Sequence, residues 1–326
     1  MIKSDVIIIG AGPAGSTCAW QLQRHKVNCI LLDRQTFPRD KLCAGWITPK
    51  VVKDLEINLT EYPFSLTSFS RLKINVSGIP FKIPTKQYAI RRYEFDHWLQ
   101  KRSGAPLFSH EVKNIKQTSN GYNIDGRYLC QYLVGAGGTY CPVYKSLFQK
   151  VNPRIDDALI VSLEEEFLYD YYDETCQLWF LEQGLPGYAW YVPKQTGYVN
   201  IGIGAIQKKL SNAHDHLKKH WHHFCEKLVD LSLIKDHKFH PKGYAYYIRQ
   251  GKATVQIGNA FLIGDSAGLA TTDMGEGIRP AVHSALLAAD AIISGKSYTI
   301  DSIRSFSFIP DYLANFLKFI FSKLSS

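Results

Sequence analysis

No run of apolar residues in this 326-residue chain is long enough to span a bilayer. Its seven cysteines lie scattered, and without paired spacing they suggest neither a disulfide framework nor a zinc site. The first strand begins within a few residues of the start, which leaves no room for a leader peptide; a reducing cytoplasm is the expected setting. Acidic residues are in deficit, 29 against 38 lysines and arginines, for a formal net charge of +9. The basic side chains do not gather on one element with interleaved aromatics, so nucleic acid is not the expected partner. The excess serves either plain solubility or attraction to anionic lipid, an acidic electron carrier or a phosphate-bearing substrate.

What is present is an ordinary globular composition, 45% hydrophobic and 21% charged, long enough for one or two domains. The chain is organised around Asp5-Val6-Ile7-Ile8-Ile9-Gly10-Ala11-Gly12-Pro13-Ala14-Gly15. This reads as a buried strand, a glycine-rich turn and a helix. Gly10 permits the tight turn, Gly12 lets backbone approach a pyrophosphate, and Gly15 lets the helix pack on the strand. A second apolar run, Val27 to Leu32, ends at Asp33, 18 residues past Gly15, where a ribose hydroxyl would be held.

The stretch from Arg34 to Pro49 is a loop beyond the strand ends. In it Lys41, Cys43 and Gly45 either line the reactive end of a cofactor or sit in a solvated loop. Alternating Leu72, Ile74, Val76, Phe81 and Ile83 around Gly78 and Pro80 predict a hairpin over 69–90. A short amphipathic helix follows, with Phe95, Trp98 and Leu99 on one face. Arg92 at its start is either a bidentate phosphate ligand or one more surface arginine. Strands are predicted over 111–117, 121–124 and 128–134, the last ending in Gly135-Ala136-Gly137-Gly138. Further strands are expected over 160–169, 176–180, 187–194, 199–203 and 255–263.

On the 187–194 strand Tyr188 and Trp190 share one face and Tyr191 takes the other, so one face lines either an apolar pocket or a packed core. His216 and His220, on a helix over 208–230, have the spacing of metal ligands. No acid or cysteine completes a site, and a solvated helix is the expected outcome. Asp265, in a second glycine-rich turn, would accept hydrogen bonds from a polyol, and a long helix opens after Gly275-Glu276-Gly277-Ile278. From 308 to 324 an apolar stripe predicts a helix that is either docked on the core or lying at a membrane surface.

Three of these motifs together resemble FAD-dependent oxidoreductases of the p-hydroxybenzoate hydroxylase-like fold: the glycine turn with Asp33, the Arg92-x-x-Phe95-Asp96-x-x-Leu99 run, and Gly264-Asp265. Two more stretches, Lys41-Leu42-Cys43-Ala44-Gly45 and Tyr188-Ala189-Trp190-Tyr191-Val192-Pro193, are similar to the cysteine loop and the substrate motif of the geranylgeranyl reductase family. The resemblance covers residues 1 to 295. It implies an α/β fold: a Rossmann-like FAD-binding domain over 1–68, 91–158 and 252–326, and a mostly antiparallel substrate domain over 69–90 and 159–251.

By the same resemblance Gly10, Gly12, Ala14 and Gly15 would hold the pyrophosphate of FAD, and Asp33, with Arg34 beside it, the ribose. Lys41, Cys43, Ala44 and Gly45 would lie near the isoalloxazine. Arg92 would contact the phosphate or ribityl region, Val112 the adenine and Asp265 the ribityl chain. Gly275, Gly277 and Ile278 would meet the flavin carbonyl edge, and Ala136 belongs with the cofactor contacts. Cys43, Tyr188 and Trp190 are the catalytic candidates, and no metal is implied.

The expected activity is reduction of carbon–carbon double bonds in an isoprenoid or similar apolar substrate. Electrons would come from NAD(P)H or a reduced carrier, although the chain shows no second nucleotide-binding domain. A monooxygenase of an aromatic or polyketide-like substrate and a non-catalytic FAD-binding protein are the alternatives. The family pattern is broken at Gly137, which stands in place of an acid, at Ala44 and at Val192.

Overall fold

The computed structural model describes residues 1–307. The helix expected over 308–324 lies outside the described residues. Contacts divide the chain into two units, Met1–Thr36 with Leu99–Arg154 and Tyr247–Ser326, and Phe37–Trp98 with Ile155–Tyr246.

Along the chain the elements begin with β1 (Ile2–Ile9), α1 (Pro13–Arg24), β2 (Cys29–Asp33), β3 (Trp46–Ile47) and α2 (Pro49–Asp54). Next come β4 (Leu66–Val76), β5 (Ile79–Ile90), α3 (Arg92–Arg102), β6 (Leu107–Ser109), β7 (Ile115–Thr118), β8 (Gly121–Ile124) and β9 (Tyr128–Gly135). β10 (Leu159–Leu168), β11 (Cys176–Phe180), β12 (Gly187–Lys194), β13 (Tyr198–Ile206), α4 (Gln207–Asn212) and α5 (Leu217–Asp230) follow. The last are β14 (Lys242–Tyr247), β15 (Gln256–Ile257), β16 (Ala260–Leu262) and α6 (Ile278–Ser294).

The first unit is built on a sheet of order β15-β16-β9-β1-β2-β6, parallel from β16 to β6, with the β7–β8 hairpin joined to β9. β1 is central and buried on both faces, which is why Val6 to Ile9 is unbroken hydrophobe rather than alternating. The second unit holds a sheet of order β14-β10-β13-β12-β11-β4-β5-β3. From β10 to β3 it is antiparallel except where β11 runs parallel beside β4. One face is closed by α5: Tyr191, Ile201, Ile203, Trp221, Phe224 and Leu228 pack there as a single cluster.

Three expectations are corrected. Residues 111–114 are not strand, because the amides of Lys113 and Asn114 donate to the Asp125 carboxylate instead of a ladder. The strand expected over 255–263 is two short ones, β15 and β16, folded back at Gly258, whose φ is 52°. The helix expected over 208–230 breaks at His214, which has φ 51°, and restarts after His216. Residues 37–68 and 91–98 cluster with the second sheet, since β3 pairs with β5 and β4 already starts at Leu66.

Leu228 is fully buried in the α5 cluster. Leu228→Ala is expected to cost roughly 2–5 kcal/mol in urea unfolding, the usual range for such a truncation.

Candidate functional site

In the first unit the glycine turn is a cradle that side chains cannot enter. A Cβ at Gly10, whose φ is +105°, would stand 2.4 Å from the Ala136 carbonyl oxygen, and one at Gly15 would stand 1.8 Å from that of Gly10. α1 therefore starts hard against β1. Its N-cap, Gly12, offers no capping side chain, Pro13 supplies the first turn, and no acid lies in that turn. Amides and helix dipole are thus left for an anion from outside, which fits a pyrophosphate. Ala14 is buried one residue further on.

Asp33 ends β2 with its carboxylate held by the amides of Ala11, at 2.8 Å, and Gln35, at 2.9 Å. Both bonds orient the group and leave lone pairs for a diol. Arg34 beside it is exposed. Val112 follows β6 by three residues, where His110 donates its amide to the Asp33 carbonyl at 2.7 Å.

A second turn stands at the end of β16. The Gly138 amide donates to Ser266 Oγ at 3.0 Å, which joins the Ala136–Gly138 turn to Gly264–Ala267. Arg154 ties the same two turns by donating to the carbonyls of Thr139, Asp265 and Ser266. The side chain of Asp265 lies against Gly277, where a Cβ would come within 3.3 Å of its Oδ1. Gly277 caps α6 without a side-chain acceptor, Ile278 opens it, and no acid stands in its first turn. Gly275, at φ +61°, and Thr271 shape the loop before it, with Thr271 Oγ1 accepting the Glu276 amide at 3.0 Å. One oxygen of Glu276 is buried with no hydrogen-bond partner among the described residues, and burial raises the pKa of this carboxyl.

In the second unit two motifs far apart in sequence meet on one sheet face. Partners in a ladder share a face, so Glu164, Gly202, Trp190, Leu178 and Ile74 form one row across β10, β13, β12, β11 and β4. The next row is Ser162, Gly204, Tyr188, Phe180 and Val76. Tyr188 and Trp190 thus share a face, 5.7 Å between rings, and Tyr191 turns to the α5 cluster, as the alternation predicts. The Trp190 indole covers Gly202: a Cβ there would meet its ring at 2.2 Å and the Cβ of Glu164 at 2.8 Å.

The Cys43 loop is fixed to this face by polar ties. Trp190 Nε1 donates to Asn200 Oδ1 at 2.7 Å, and Asn200 Nδ2 donates to the Cys43 carbonyl at 3.5 Å. The Cys43 amide hydrogen-bonds Glu164, and its Sγ accepts the Gly45 amide at 3.4 Å. Gly45, at φ +75°, has no room for a side chain between the Ile90 carbonyl and Lys194 Nζ. Ala44 is half-buried between them, and Lys41 Nζ lies 3.0 Å above the Tyr244 ring. Lys194 is 1% exposed and pairs with Glu166, which Arg91 Nε also reaches at 3.0 Å.

Two acids on one strand consequently behave differently. For Glu166 burial is outweighed by Lys194 and Arg91, and its pKa lies below the usual range. For Glu164 burial wins over Lys194, Lys41 and the Cys43 amide, with Glu166 adding repulsion, and its pKa is pushed up to about 7.

Arg92 is buried and gives its Nε and Nη2 edge to Asp96, both bonds 2.7 Å. Burial opposes its charge, but Asp96 and the Cys43 side chain more than compensate, and its pKa is raised. The bidentate edge expected to face a phosphate is therefore occupied within the protein. His220 donates to or accepts from Asp215 at 2.8 Å, and no group of metal-ligating residues gathers among the described residues.

Sequence reasoning gave no role to Asp96, Arg154, Glu164, Glu166, Lys194, Asn200 or Thr271. A signal for the acids did exist. Glu164 and Glu166 alternate on a strand, and Gly202 and Gly204 alternate on its neighbour, so one sheet face carries acids beside positions empty of side chains.

A nucleotide-type glycine cradle on a parallel sheet in one unit, and a sheet with an aromatic face in the other, fit an FAD-dependent oxidoreductase. Comparisons narrow it. The sequence pattern described as FAD dependent oxidoreductase matches residues 5–100, and that of the geranylgeranyl reductase catalytic domain matches residues 163–236. An uncharacterized protein of Methanosarcina barkeri is 31% identical over 90% of this chain and 76% of its own length. A menaquinone reductase of Mycolicibacterium smegmatis is 25% identical over 90% of the chain and 77% of its own. Digeranylgeranylglycerophospholipid reductase 2 of Methanosphaera stadtmanae is 23% identical over 95% and 84%. In fold, a geranylgeranyl bacteriochlorophyll reductase-like protein from Thermoplasma acidophilum superposes with a TM-score of 0.79 at 19% identity, over 99% of this chain and 84% of that one. The chain belongs to the geranylgeranyl reductase-like family of FAD-dependent oxidoreductases.

The opposed shifts of the two acids set a pH signature. Glu164 binds its proton more tightly folded than unfolded, so its contribution to stability falls as pH rises from about 4.5 to about 7 and is level above. Glu166 does the reverse, and its contribution is lost as pH falls below 4.5. Denaturant unfolding of Glu164→Gln against pH is expected to lack the decline between 4.5 and 7 and to keep the acid limb.

Proposed function

We propose that this protein reduces carbon–carbon double bonds of an isoprenoid or similarly apolar chain, with FAD as resident cofactor and NAD(P)H or a small reduced carrier as electron donor. One observation carries the reading. Tyr188 and Trp190 stand on the sheet face opposite the packed α5 cluster, and a buried acid of near-neutral pKa adjoins them. The names of the relatives, reductases of a menaquinone and of a digeranylgeranyl lipid, support the substrate class.

In this reading Gly10, Gly12, Ala14, Gly15 and Ala136 frame the pyrophosphate, Asp33 takes the ribose and Asp265 the ribityl chain. Gly275, Gly277 and Ile278 approach the ring. Bound and reduced, FAD supplies a hydride to one carbon of the double bond. The other carbon needs a proton. Glu164 is the group suited to hold one at neutral pH, because an acid works best as donor when its pKa lies near the working pH. Lys194 and Lys41 then stabilise the carboxylate that remains. Tyr188 and Trp190 line the apolar chain and exclude water, and Cys43 presents the backbone amide that orients Glu164. Phe180, stacked on Tyr188 at 5.2 Å, extends the apolar face.

The test is an anaerobic single turnover. Protein reduced with dithionite, freed of excess reductant and mixed with a polyprenyl lipid is expected to regain the oxidised flavin spectrum and to yield a saturated product. A flavin that stays reduced until air is admitted contradicts the reading. Glu164→Gln is expected to retain its flavin and to slow the turnover by about 10²–10⁴-fold. Infrared titration without substrate should show a buried carboxylic acid deprotonating near pH 7 in the native protein and not in the variant. A variant that turns over at the native rate removes Glu164 from this role.

A further inference from the structure

The β4–β5 hairpin carries an apolar surface that the reaction does not need. Every residue from Val76 to Pro84 is exposed. Val76 is 37%, Ile79 60%, Phe81 48% and Ile83 41% accessible. Register places the pairs Val76–Ile79, Ile74–Phe81 and Leu72–Ile83 on one face, with Arg71 and the Lys73–Lys82 pair on the other. The turn at Ser77-Gly78 leads, so the hairpin is apolar nearest its tip and basic further back. No aspartate or glutamate occurs between Glu61 and Glu94, while Arg71, Lys73, Lys82 and Lys86 all lie on the hairpin.

We propose that the β4–β5 hairpin docks the protein on an anionic lipid bilayer, with Val76, Ile79 and Phe81 entering the acyl boundary and Lys73, Lys82, Arg71 and Lys86 at the headgroups. Strand rise sets the depth. Lys82 lies three residues beyond Ile79, about 10 Å along the strand, which suits apolar side chains below the headgroups and ammonium groups among them. Each lysine or arginine near such a surface adds to the attraction, and no neighbouring acid in the segment cancels it. The apolar face then continues, partner by partner, from Val76 to Phe180 and Tyr188, so a chain leaving the bilayer would stay on hydrophobic surface. That last step rests on the function proposed above; the docking itself does not. A second copy of the chain fits less well, since two such hairpins would bring eight cations together.

The experiment is sedimentation of the full chain with vesicles of phosphatidylglycerol and of phosphatidylcholine. Binding is expected to the anionic vesicles and to weaken with salt. Lys73→Glu with Lys82→Glu, and separately Ile79→Ser with Phe81→Ser, should each weaken it by about tenfold or more. All four side chains are on the surface or half-buried, and an unchanged flavin spectrum checks that the variants are folded. Protein left in the supernatant with both vesicle types overturns the proposal. So do variants that sediment like the native chain, or an oligomer that the apolar variants dissociate. Vesicle binding without double-bond reduction would leave docking standing and remove the catalytic reading; reduction without vesicle binding would do the opposite.

Discussion

The second sheet depends on a buried ammonium. Lys194 ends β12 almost wholly out of water, a placement that costs several kcal/mol unless the charge is matched. Glu166 matches it, and Arg91, packed 3.5 Å from the Tyr198 ring, matches Glu166 in turn. With Lys194 thus committed, Glu164 is left as the acid whose charge is not fully balanced, and its proton is retained to near neutrality. The same ammonium borders Gly45, so the arrangement that tunes the acid also limits where the Cys43 loop can run. One electrostatic constraint therefore sets both the chemistry of the face and the course of the loop against it.

Local pattern carried much of the fold. The strand–turn–helix at Gly10–Gly15 was legible because each glycine answers a separate steric demand, and at Gly10 and Gly15 the demand is a contact no Cβ could survive. The β4–β5 hairpin was legible because alternation and turn residues agree. The misreadings share one cause: local patterns do not reveal where the backbone groups are satisfied. At 111–114 a distant carboxylate, Asp125, takes the amides, and at Gly258 and His214 a single positive φ ends an element that hydrophobicity alone would extend.

For the proposed site, the glycine-cradle motifs were legible and the groups that set its electrostatics were not. Asp33 and Asp265 stand in motifs with fixed spacing. Glu164, Lys194 and Asn200 come from three strands, and only the ladder register brings them beside Trp190 and Cys43. Arg92 illustrates the limit from the other side. Its position was read from sequence, yet the Asp96 four residues on, which takes its bidentate edge, gives it a buried partner that spacing alone did not assign.

In the proposed function one sheet face, running from Phe180 through Tyr188 and Trp190 to Glu164, receives an apolar chain whose double bond ends beside the acid. A crystal structure of the protein with oxidised FAD and an unreduced polyprenyl lipid tests this most directly. The predicted result is continuous density for the chain along Phe180 and Tyr188, with an alkene carbon in contact with the Glu164 carboxyl. Density for the lipid elsewhere, with none along the Trp190 face, would contradict it.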